Sequence, residues 1–480
     1  MSHGEGIVMS ESEDLIKSVL LRKCETPNLE VKAALNGTPK VYDTLSSFSN
    51  QIDGGDIVFG IDEKSGFSVT GVYDAQKLQK DLVKQCKEMQ PEISPSIEVV
   101  TFDGKTLVVA HVGGMPMGMR PVYRKTAGIT RGSFVRSGDQ DIHMNAAELY
   151  EIEAFKNGYR DDQSVPSLSD NSMLDPDMTE DLIHRAKGER PHLAKRPDSE
   201  VLRLLGAVRD EKPTLAGLMT LSDYPQQAYP NLCVTAIAVA GTHISQDELG
   251  NRFLDNKTIE GSIAQMIEET MLFVRRNTRT KSVIKGAVRE NVPEYPESAV
   301  REIVTNALMH RDYGPYSNGT PVRVVIYSDR IECSNPGGIY GGQSIEDLGR
   351  ANIQTRNPAL VSLLEIQGVA ENRHSGIPVI RDEMKKAGLR PPIFRDERGS
   401  FSVTLYNEPL ASQNRPQSLS EEVILDFCSA PRSRQEIAER FGVTTAYVAR
   451  VYLNPLVQRG LLALTIPDKP QSKNQRFYRV

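Results

Sequence analysis

A chain of 480 residues is too long for one ordinary hydrophobic core, and this length predicts about three domains. The 57 Lys and Arg residues are outnumbered by 63 Asp and Glu residues, and the net charge is −6. This balance excludes a globally basic protein, so any contact with nucleic acid is expected to be local. Five scattered Cys residues argue against a disulfide framework or a zinc knuckle, and we interpret them as reduced thiols.

The sequence contains no signal for a membrane or for secretion. No apolar run approaches the roughly 20 residues that a bilayer requires. The N-terminal segment, MSHGEGIVMSESEDL, is acidic, unlike a signal peptide. We therefore predict a cytoplasmic protein that makes no membrane contact.

The first 150 residues alternate helical and strand-like patterns. A helix is predicted over TPKVYDTLSSFSNQID, where it ends before Gly54 and Gly55, and the apolar run DIVFGI predicts a strand. Another helix is predicted over AQKLQKDLVKQCKEM, and SIEVVTFDGKTLVVAHV predicts a hairpin that turns at Asp103 and Gly104. This mixture predicts an α+β domain.

Two phrases in this region, CETPNLEVKAAL and LSSFSNQIDGGDIVFGIDEKSGFSVTGV, resemble the Schlafen AlbA-type domain, which is also described as divergent AAA-like. We assign this domain to residues 1–155. The resemblance implies a mixed α/β fold that is associated with nucleic acid, and it includes relatives that cleave RNA. It also implies metal-binding acids, which match Glu25, Glu30 and Asp62 here, with Lys32 beside them to stabilise charge on a phosphate. The same residues fit a surface strand with an ion pair, and we favour binding over cleavage.

A dense basic stretch lies near the end of this domain, with no acidic residue inside it. It predicts a loop and strand that contact nucleic-acid phosphates, although a solvated rim of the domain would give the same pattern. Its members are Arg120, Arg124, Lys125, Arg131 and Arg136.

Residues 156–200 are rich in polar and turn-forming residues, and we predict a linker with short helices there. The alternation then resumes, with a short helix at TLAGLMTL, a strand at NLCVTAIAVAG and a long helix around IEGSIAQMIEETMLFVRRNT. These elements lead without an obvious linker into the helix REIVTNALMHRDY.

That helix places Glu302, Asn306 and His310 four residues apart, so their side chains form one stripe beside the apolar face. The stripe fits either a solvated helix edge or a helix that lines a cleft. Downstream, TPVRVVIYSDRIECSNPGGI predicts two strands with a turn at Ser328 and Asp329. Further motifs follow in TRNPALVSLLEIQGVAENRHSGIPVIRDEM, and SFSVTLY predicts a closing strand.

The order of these motifs resembles the nucleotide-binding domain of the GHKL superfamily. The wording is closest to a divergent HATPase-type domain found in bacterial proteins classed as transcriptional regulators. We assign it to residues 201–407. The resemblance implies an α/β sandwich that binds ATP with Mg²⁺, in which Asn306 is a magnesium ligand and Glu302 orients the attacking water. It places His310 near the phosphates or in a hydrogen bond to the adjoining loop.

The resemblance also implies contacts at the NPGG turn and at a lid. Asn335, followed by Gly337 and Gly338, stands where relatives have an adenine-binding Asp; its amide accepts from an amino group but lacks a charge. The lid is reduced to Ser375 and Gly376, ahead of a helix whose N–H groups can bind phosphate. Whether the nucleotide is hydrolysed or only sensed stays open.

Residues 408–417 are predicted to be a linker, and residues 418–480 a separate module. Two helices, SRQEIAERFG with Ser433 as its cap and TTAYVARVYLNPLVQRG, predict a helix-turn-helix, and two strands around a Lys-rich tip follow. The pattern resembles the winged-helix family, whose members bind DNA or serve protein contacts only. The resemblance implies DNA contacts by Thr444, Thr445, Tyr447, Arg450, Lys469, Lys473 and Arg476.

Together these features predict an α+β multidomain protein that binds DNA in response to a nucleotide, regulates transcription and works as a homodimer. Two alternatives stay open. One is a metal-dependent nuclease or defence effector that uses the N-terminal acids. The other is a nucleic-acid scaffold with a vestigial nucleotide site.

Overall fold

The computed structural model of the chain describes residues 11–244, 252–285, 288–350, 354–370, 376–409, 421–441, 445–466 and 475–479. Within these ranges the protein is a mixed α+β chain with an N-terminal domain, a larger middle domain and a small C-terminal module. In the described part of the chain, no helix is both long and apolar enough to cross a membrane.

The N-terminal domain is built around a four-stranded sheet. Its elements are α1 (Glu11–Arg22), β1 (Leu29–Lys32), α2 (Tyr42–Asn50), β2 (Gly55–Phe59), β3 (Ile61–Asp62), β4 (Ser68–Val69), α3 (Ala75–Lys87), β5 (Met89–Gln90), β6 (Ser96–Phe102), β7 (Lys105–Val112), β8 (Tyr123–Arg124), α4 (Gly128–Gly132), β9 (Phe134–Ser137), β10 (Gln140–His143) and α5 (Ala146–Asn157). The strand order is β1–β2–β7–β6; β1 runs parallel to β2 and the other pairs are antiparallel.

Both faces of this sheet are buried, because its side chains alternate between two hydrophobic clusters. Ile57 and Phe59 pack with α2 and α3 on one face, whereas Val58 packs with α1 on the other. The predicted hairpin is confirmed: Phe102 pairs with Lys105, and Asp103 and Gly104 form the two-residue turn, both with positive φ.

The middle domain contains a six-stranded sheet. Its elements are α6 (Pro176–Glu189), α7 (Asp198–Leu204), β11 (Val208–Arg209), β12 (Lys212–Pro213), α8 (Leu215–Leu221), β13 (Val234–Ala238), β14 (Asp255–Ile259), α9 (Ile263–Asn277), β15 (Thr280–Lys285), β16 (Val288–Pro293), α10 (Glu297–His310), β17 (Val322–Ile326), β18 (Arg330–Pro336), α11 (Pro358–Ile366), α12 (Gly376–Lys386), β19 (Ile393–Glu397) and β20 (Ser400–Tyr406). The strand order is β14–β13–β17–β18–β20–β19, and only β13 and β17 are parallel.

Helices cover one face of this sheet. In β17, Val322, Val324 and Ile326 join the helices in one large core, whereas Arg323 between them is exposed. The short helices predicted for residues 156–200 include α6, and its Leu182 belongs to this same core. The segment therefore packs as part of the domain that supports the site.

The C-terminal module has its own small core, formed around Ile437, Leu456 and Phe477. Its elements are α13 (Glu421–Phe427), β21 (Arg432–Ser433), α14 (Arg434–Phe441), α15 (Thr445–Val448), α16 (Asn454–Gln458), β22 (Leu462–Leu464) and β23 (Arg476–Arg479). A π-helical segment joins α15 to α16, and the sheet order is β21–β23–β22. The predicted cap is confirmed, because Ser433 Oγ accepts from the N–H of Glu436, and the Glu436 carboxylate accepts from the N–H of Ser433.

Candidate functional site

Helix α10 places Glu302 and Asn306 in the wall of a cavity of about 200 Å³. Its apolar face, which includes Ile303 and Val304, is buried in the core, so the polar stripe lies at the edge of that face. Asn306 Nδ2 donates a hydrogen bond to Glu302 Oε1 at 3.0 Å. The remaining amide atom, Asn306 Oδ1, can coordinate a cation. His310, one turn further on, is exposed and also borders the cavity.

The N-terminus of α12 lies directly against these two side chains. A Cβ at Gly376 would overlap Glu302 Oε1 and lie 2.9 Å from Asn306 Nδ2, so a larger residue there would displace the ends of these two side chains. The first N–H groups of a helix have no partner within it, and together with the helix dipole they favour an anion. Together, the helix N-terminus and the Asn306 amide oxygen have the chemistry to bind a phosphate chain with Mg²⁺. Ser375, the other residue of the expected lid, lies outside the described residues.

Another part of the cavity wall is formed where β18 ends. Asn335 is 6% exposed, and its Nδ2 donates to the carbonyl of Pro336 at 3.1 Å, which leaves Oδ1 to accept from a ligand. Gly337 follows with a φ of 89°, and a Cβ there would lie 2.7 Å from Asp312 Cβ. Gly338 also lines the cavity. This turn therefore brings backbone and one amide to the ligand without side-chain bulk.

The rest of the cavity wall is mainly apolar. Ile303, Ile380, Phe401 and Val403 contribute to its walls. Burial raises the pKa of the Cys333 thiol to about 12, so this group is neutral and acts as part of the apolar floor. A mainly apolar cavity with a few polar groups in its wall suits a flat base joined to a phosphate chain.

Arg356 also lines this cavity, although the sequence around it did not predict that role. It is 9% exposed, lines the cavity and donates through Nη2 to the carbonyl of Gly338 at 2.8 Å. The same nitrogen donates to Glu151 Oε1 at 2.8 Å. The pattern TRNP gives no local signal for this role, because the two partners lie 18 and 205 residues away.

In the N-terminal domain, the structure brings Glu25 and Glu30 together around one arginine. The Arg136 side chain is 1% exposed, and its Nη2 lies 2.7 Å from Glu30 Oε2 and 3.6 Å from Glu25 Oε2. Its Nη1 lies 3.1 Å from Asp141 Oδ1, and Lys32 also pairs with Glu30. Burial, with the nearby Glu30 carboxylate, raises the pKa of Glu25 to about 7.

Asp62 has a different role in the structure. Its side chain accepts from the N–H of Lys64 at 3.2 Å and caps the short 3₁₀ helix that follows. Over the ranges that the structure describes, no group of three or more His, Cys, Asp or Glu side chains is arranged to hold a metal ion.

Most of the basic stretch is engaged with the protein itself. Arg120 is 8% exposed and donates to the carbonyls of Met115 and Gln51. Arg124 lies over the ring of Tyr42 and 3.8 Å from the Glu88 carboxylate. Lys125 lies 3.1 Å from Glu92 Oε1, and Arg136 is buried as described above. Arg131 is exposed on α4, so the expected phosphate-facing patch is much smaller than the sequence suggests.

The C-terminal candidates are described only in part. Thr445 is exposed at the start of α15, and Arg476 Nη1 donates to the carbonyl of Pro431 at 3.1 Å and lies 3.7 Å from Glu436 Oε2. The backbone at Tyr447 and Arg450 is helical, and the structure does not describe their side chains. The remaining predicted contacts lie outside the described residues and are Thr444, Lys469 and Lys473.

The middle domain thus combines a six-stranded sheet, covered by helices on one face, with a cavity between α10 and α12. Residues 319–405 match the family described as "Putative ATP-dependent DNA helicase recG C-terminal". Residues 25–145 match the family described as "Schlafen, AlbA_2", and residues 424–480 match "Filamentation induced by cAMP protein Fic-like, C-terminal domain". The chain thus combines an AlbA_2-type domain with a recG-like ATPase-type domain. That combination indicates a nucleic-acid-related ATP-binding protein.

The solved structures that are similar to the chain include the two described next. The DIP2311 protein from Corynebacterium diphtheriae is 19% identical, with 91% of each chain covered and a TM-score of 0.40. The N-terminal domain of a protein titled "Putative ATP-dependent DNA Helicase RecG-related Protein" from Nitrosomonas europaea is 28% identical. That match covers 29% of this chain and 97% of that one, with a TM-score of 0.23. No curated protein matches the chain.

Proposed function

We propose that this protein binds DNA in response to a nucleotide and regulates transcription, with ATP and Mg²⁺ bound in the middle domain. The observation that carries the nucleotide site is the contact of Gly376 with Glu302 and Asn306. It brings a helix N-terminus, a carboxylate and an amide together in the wall of a cavity that Asn335 also lines. A triphosphate needs the first three groups, and an adenine amino group is suited to the last.

Each side chain has a separate task in this proposal. Asn306 Oδ1 would hold Mg²⁺, which neutralises phosphate charge when bound. The N–H groups at the start of α12 would bind phosphate oxygens, and the apolar walls would exclude water from the base. If the nucleotide is hydrolysed, Glu302 would orient the attacking water, because its carboxylate lies beside the start of α12, where the phosphate is proposed to bind.

The nucleotide site is tested by calorimetry with ATP in the presence and absence of Mg²⁺. We expect a magnesium-dependent heat that Asn306→Ala abolishes. Arg301→Ala is the matched control, because Arg301 lies on the same helix but pairs with Glu268 outside the cavity. A wild-type protein that gives no heat with millimolar ATP would show that the site is vestigial.

The DNA-binding part of the proposal concerns the C-terminal module, which we take to be a winged helix. It is supported by the element order, which is a helix, a short strand, two further helical segments and two strands. The three strands form one sheet. Regulation requires that the nucleotide change the affinity for DNA, because a ligand shifts only states that it binds differently. Fluorescence anisotropy of labelled duplex, with and without Mg–ATP, measures this change.

The alternative of a metal-dependent nuclease receives less support. In a nuclease, Glu25 and Glu30 would face a cation with Asp62, whereas here both face the Arg136 guanidinium and Asp62 caps its own turn. We expect that RNA and DNA incubated with Mg²⁺ or Mn²⁺ show no cleavage that Glu30→Ala removes. Cleavage that depends on Glu30 would favour the nuclease instead.

A further inference from the structure

We infer that the N-terminal domain completes the nucleotide site, and that Glu151 on α5 is a positioning residue for that site, acting through Arg356. The inference rests on the proposed nucleotide binding and adds a regulatory element to it. It implies that the middle domain alone has a weaker site than the whole chain. One short segment, residues 338–341, makes contacts with both domains, and we call it the shared wall.

One guanidinium joins the shared wall to the N-terminal domain. Arg356 Nη2 donates to the carbonyl of Gly338 and to Glu151 Oε1, both at 2.8 Å. Arg356 Nη1 lies 3.6 Å from Asp312 Oδ1, beside Gly337. Both Gly338 and Arg356 line the cavity, whereas Glu151 does not. A carboxylate of one domain therefore fixes an arginine that holds the cavity backbone of the other.

An aromatic contact supports the same connection. The ring of Tyr340, which lines the cavity, packs edge-on against the ring of Phe155 on α5, with centroids 5.3 Å apart. The Arg356 guanidinium lies 5.3 Å from the centroid of the Tyr340 ring on its face. The shared wall thus has the proposed nucleotide on one side and α5 on the other.

Burial makes this arrangement sensitive to the loss of Glu151. Arg356 is 9% exposed, and its Nε already has no hydrogen-bond partner among the described residues. Removing the Glu151 carboxylate would leave a buried guanidinium with less compensation, which is costly. Arg356 would then be expected to reorient toward another acceptor and release the carbonyl of Gly338. The cavity wall would lose its fixed position.

The structure also provides a matched control on the same helix. Glu148, one turn before Glu151, makes a bidentate pair with Arg398 at 2.6 and 2.7 Å. This pair also ties α5 to the middle domain, but neither Glu148 nor Arg398 lines the nucleotide cavity. A general loosening of the domain contact would follow from either mutation, whereas a direct effect on the site would follow only from the loss of Glu151.

Coupling between two events is reciprocal. If docking of α5 strengthens nucleotide binding, then nucleotide binding must strengthen docking of α5 by the same factor. Nucleotide is therefore expected to slow hydrogen exchange in α5, although α5 does not contact the cavity. A merely structural role of Glu151 would not produce this dependence on nucleotide.

The test uses the full chain and measures Mg–ATP affinity by calorimetry for wild type, Glu151→Gln and Glu148→Gln. We expect Glu151→Gln to raise Kd at least about fivefold, the lower range of known couplings, and Glu148→Gln to leave it within about twofold. Hydrogen exchange should slow in α5 on adding Mg–ATP to wild type and Glu148→Gln, and change little in Glu151→Gln. A double-mutant cycle with Arg356→Lys should show that the two substitutions are not additive.

Phe155→Leu provides a second variant if Glu151→Gln does not fold, because it removes the ring contact with Tyr340 and keeps both ion pairs. It is also expected to weaken Mg–ATP binding and to reduce the protection of α5. Normal affinity in Glu151→Gln, or equal losses in Glu151→Gln and Glu148→Gln, would overturn this inference and leave the proposed nucleotide binding intact. No binding by wild type would overturn both.

Discussion

Asn306 Nδ2 lies 3.0 Å from Glu302 Oε1, one helical turn away on α10. This hydrogen bond orients the amide, because the carboxylate can only accept and therefore selects the nitrogen of Asn306. The oxygen of Asn306 is left to coordinate a cation. The sequence gives only the spacing of these two residues, whereas the structure shows how the Asn306 amide is oriented.

We predict that Glu302→Gln preserves nucleotide binding and lowers any ATP hydrolysis at least about tenfold, because it removes the water-orienting carboxylate from the transition state. Glutamine retains a carbonyl oxygen that can accept from Asn306 Nδ2, so the amide should keep its orientation. Phosphate release measures the rate and calorimetry measures the affinity. An unchanged rate would exclude Glu302 from the reaction.

We predict that Gly376→Ala weakens Mg–ATP binding by about tenfold, because the added methyl group would displace the ends of the two side chains that are proposed to hold magnesium and the attacking water. These side chains are Glu302 and Asn306. Gly188→Ala is the control, since a Cβ there has no atom within 4 Å and Gly188 lies in α6. Equal affinity in the two variants would contradict the close approach of α12 to α10.

We predict a stability change with pH that comes from Glu25. Burial, with a contribution from Glu30, raises the pKa of Glu25 from 4.5 to about 7. The folded state therefore holds this proton more tightly than the unfolded chain, and the resulting stabilisation is complete below pH 4.5 and is lost as the pH rises through 7. Since each pKa unit corresponds to about 1.4 kcal/mol, the shift from 4.5 to about 7 corresponds to a loss of at most roughly 3 kcal/mol.

Denaturant unfolding at several pH values between 5 and 8 measures this loss. Glu25→Gln cannot ionise, so its free energy of unfolding should fall less than that of wild type over this range. Glu180→Gln, at an exposed position on α6, should follow wild type. Parallel curves for wild type and Glu25→Gln would show that Glu25 is ionised in the folded protein throughout.

We predict that removing residues 415–480 abolishes specific duplex binding and leaves Mg–ATP binding intact, because the C-terminal module has a separate core. In the full chain, Arg450→Ala should weaken the preferred site most, whereas Arg476→Ala should weaken all duplexes alike and lower the salt slope by about one. Anisotropy titrations at several salt concentrations measure both effects. A truncated chain that still selects the same duplex would assign DNA binding to the N-terminal domain.

The sequence by itself determined the elements whose signals are local. The stripe on α10, the turn at Asp103 and Gly104, and the cap formed by Ser433 and Glu436 all depend on residues at most four apart. Helical periodicity, turn conformation and capping are set by such neighbours, so the pattern of residues is sufficient to predict them. The order of motifs in the middle domain likewise pointed to an ATPase-type domain, in agreement with the family match to residues 319–405.

Tertiary structure alone decided which charges meet. Arg136 is buried among carboxylates, of which Glu25 lies 111 residues before it in the chain. Lys125 forms an ion pair with Glu92. The basic stretch is therefore mostly paired, although it contains no acidic residue of its own. Arg356 joins Gly338 to Glu151, 205 residues away. An ion pair depends on where strands and helices cross rather than on spacing along the chain, and burial then fixes its strength. No periodic pattern in the sequence carries that information.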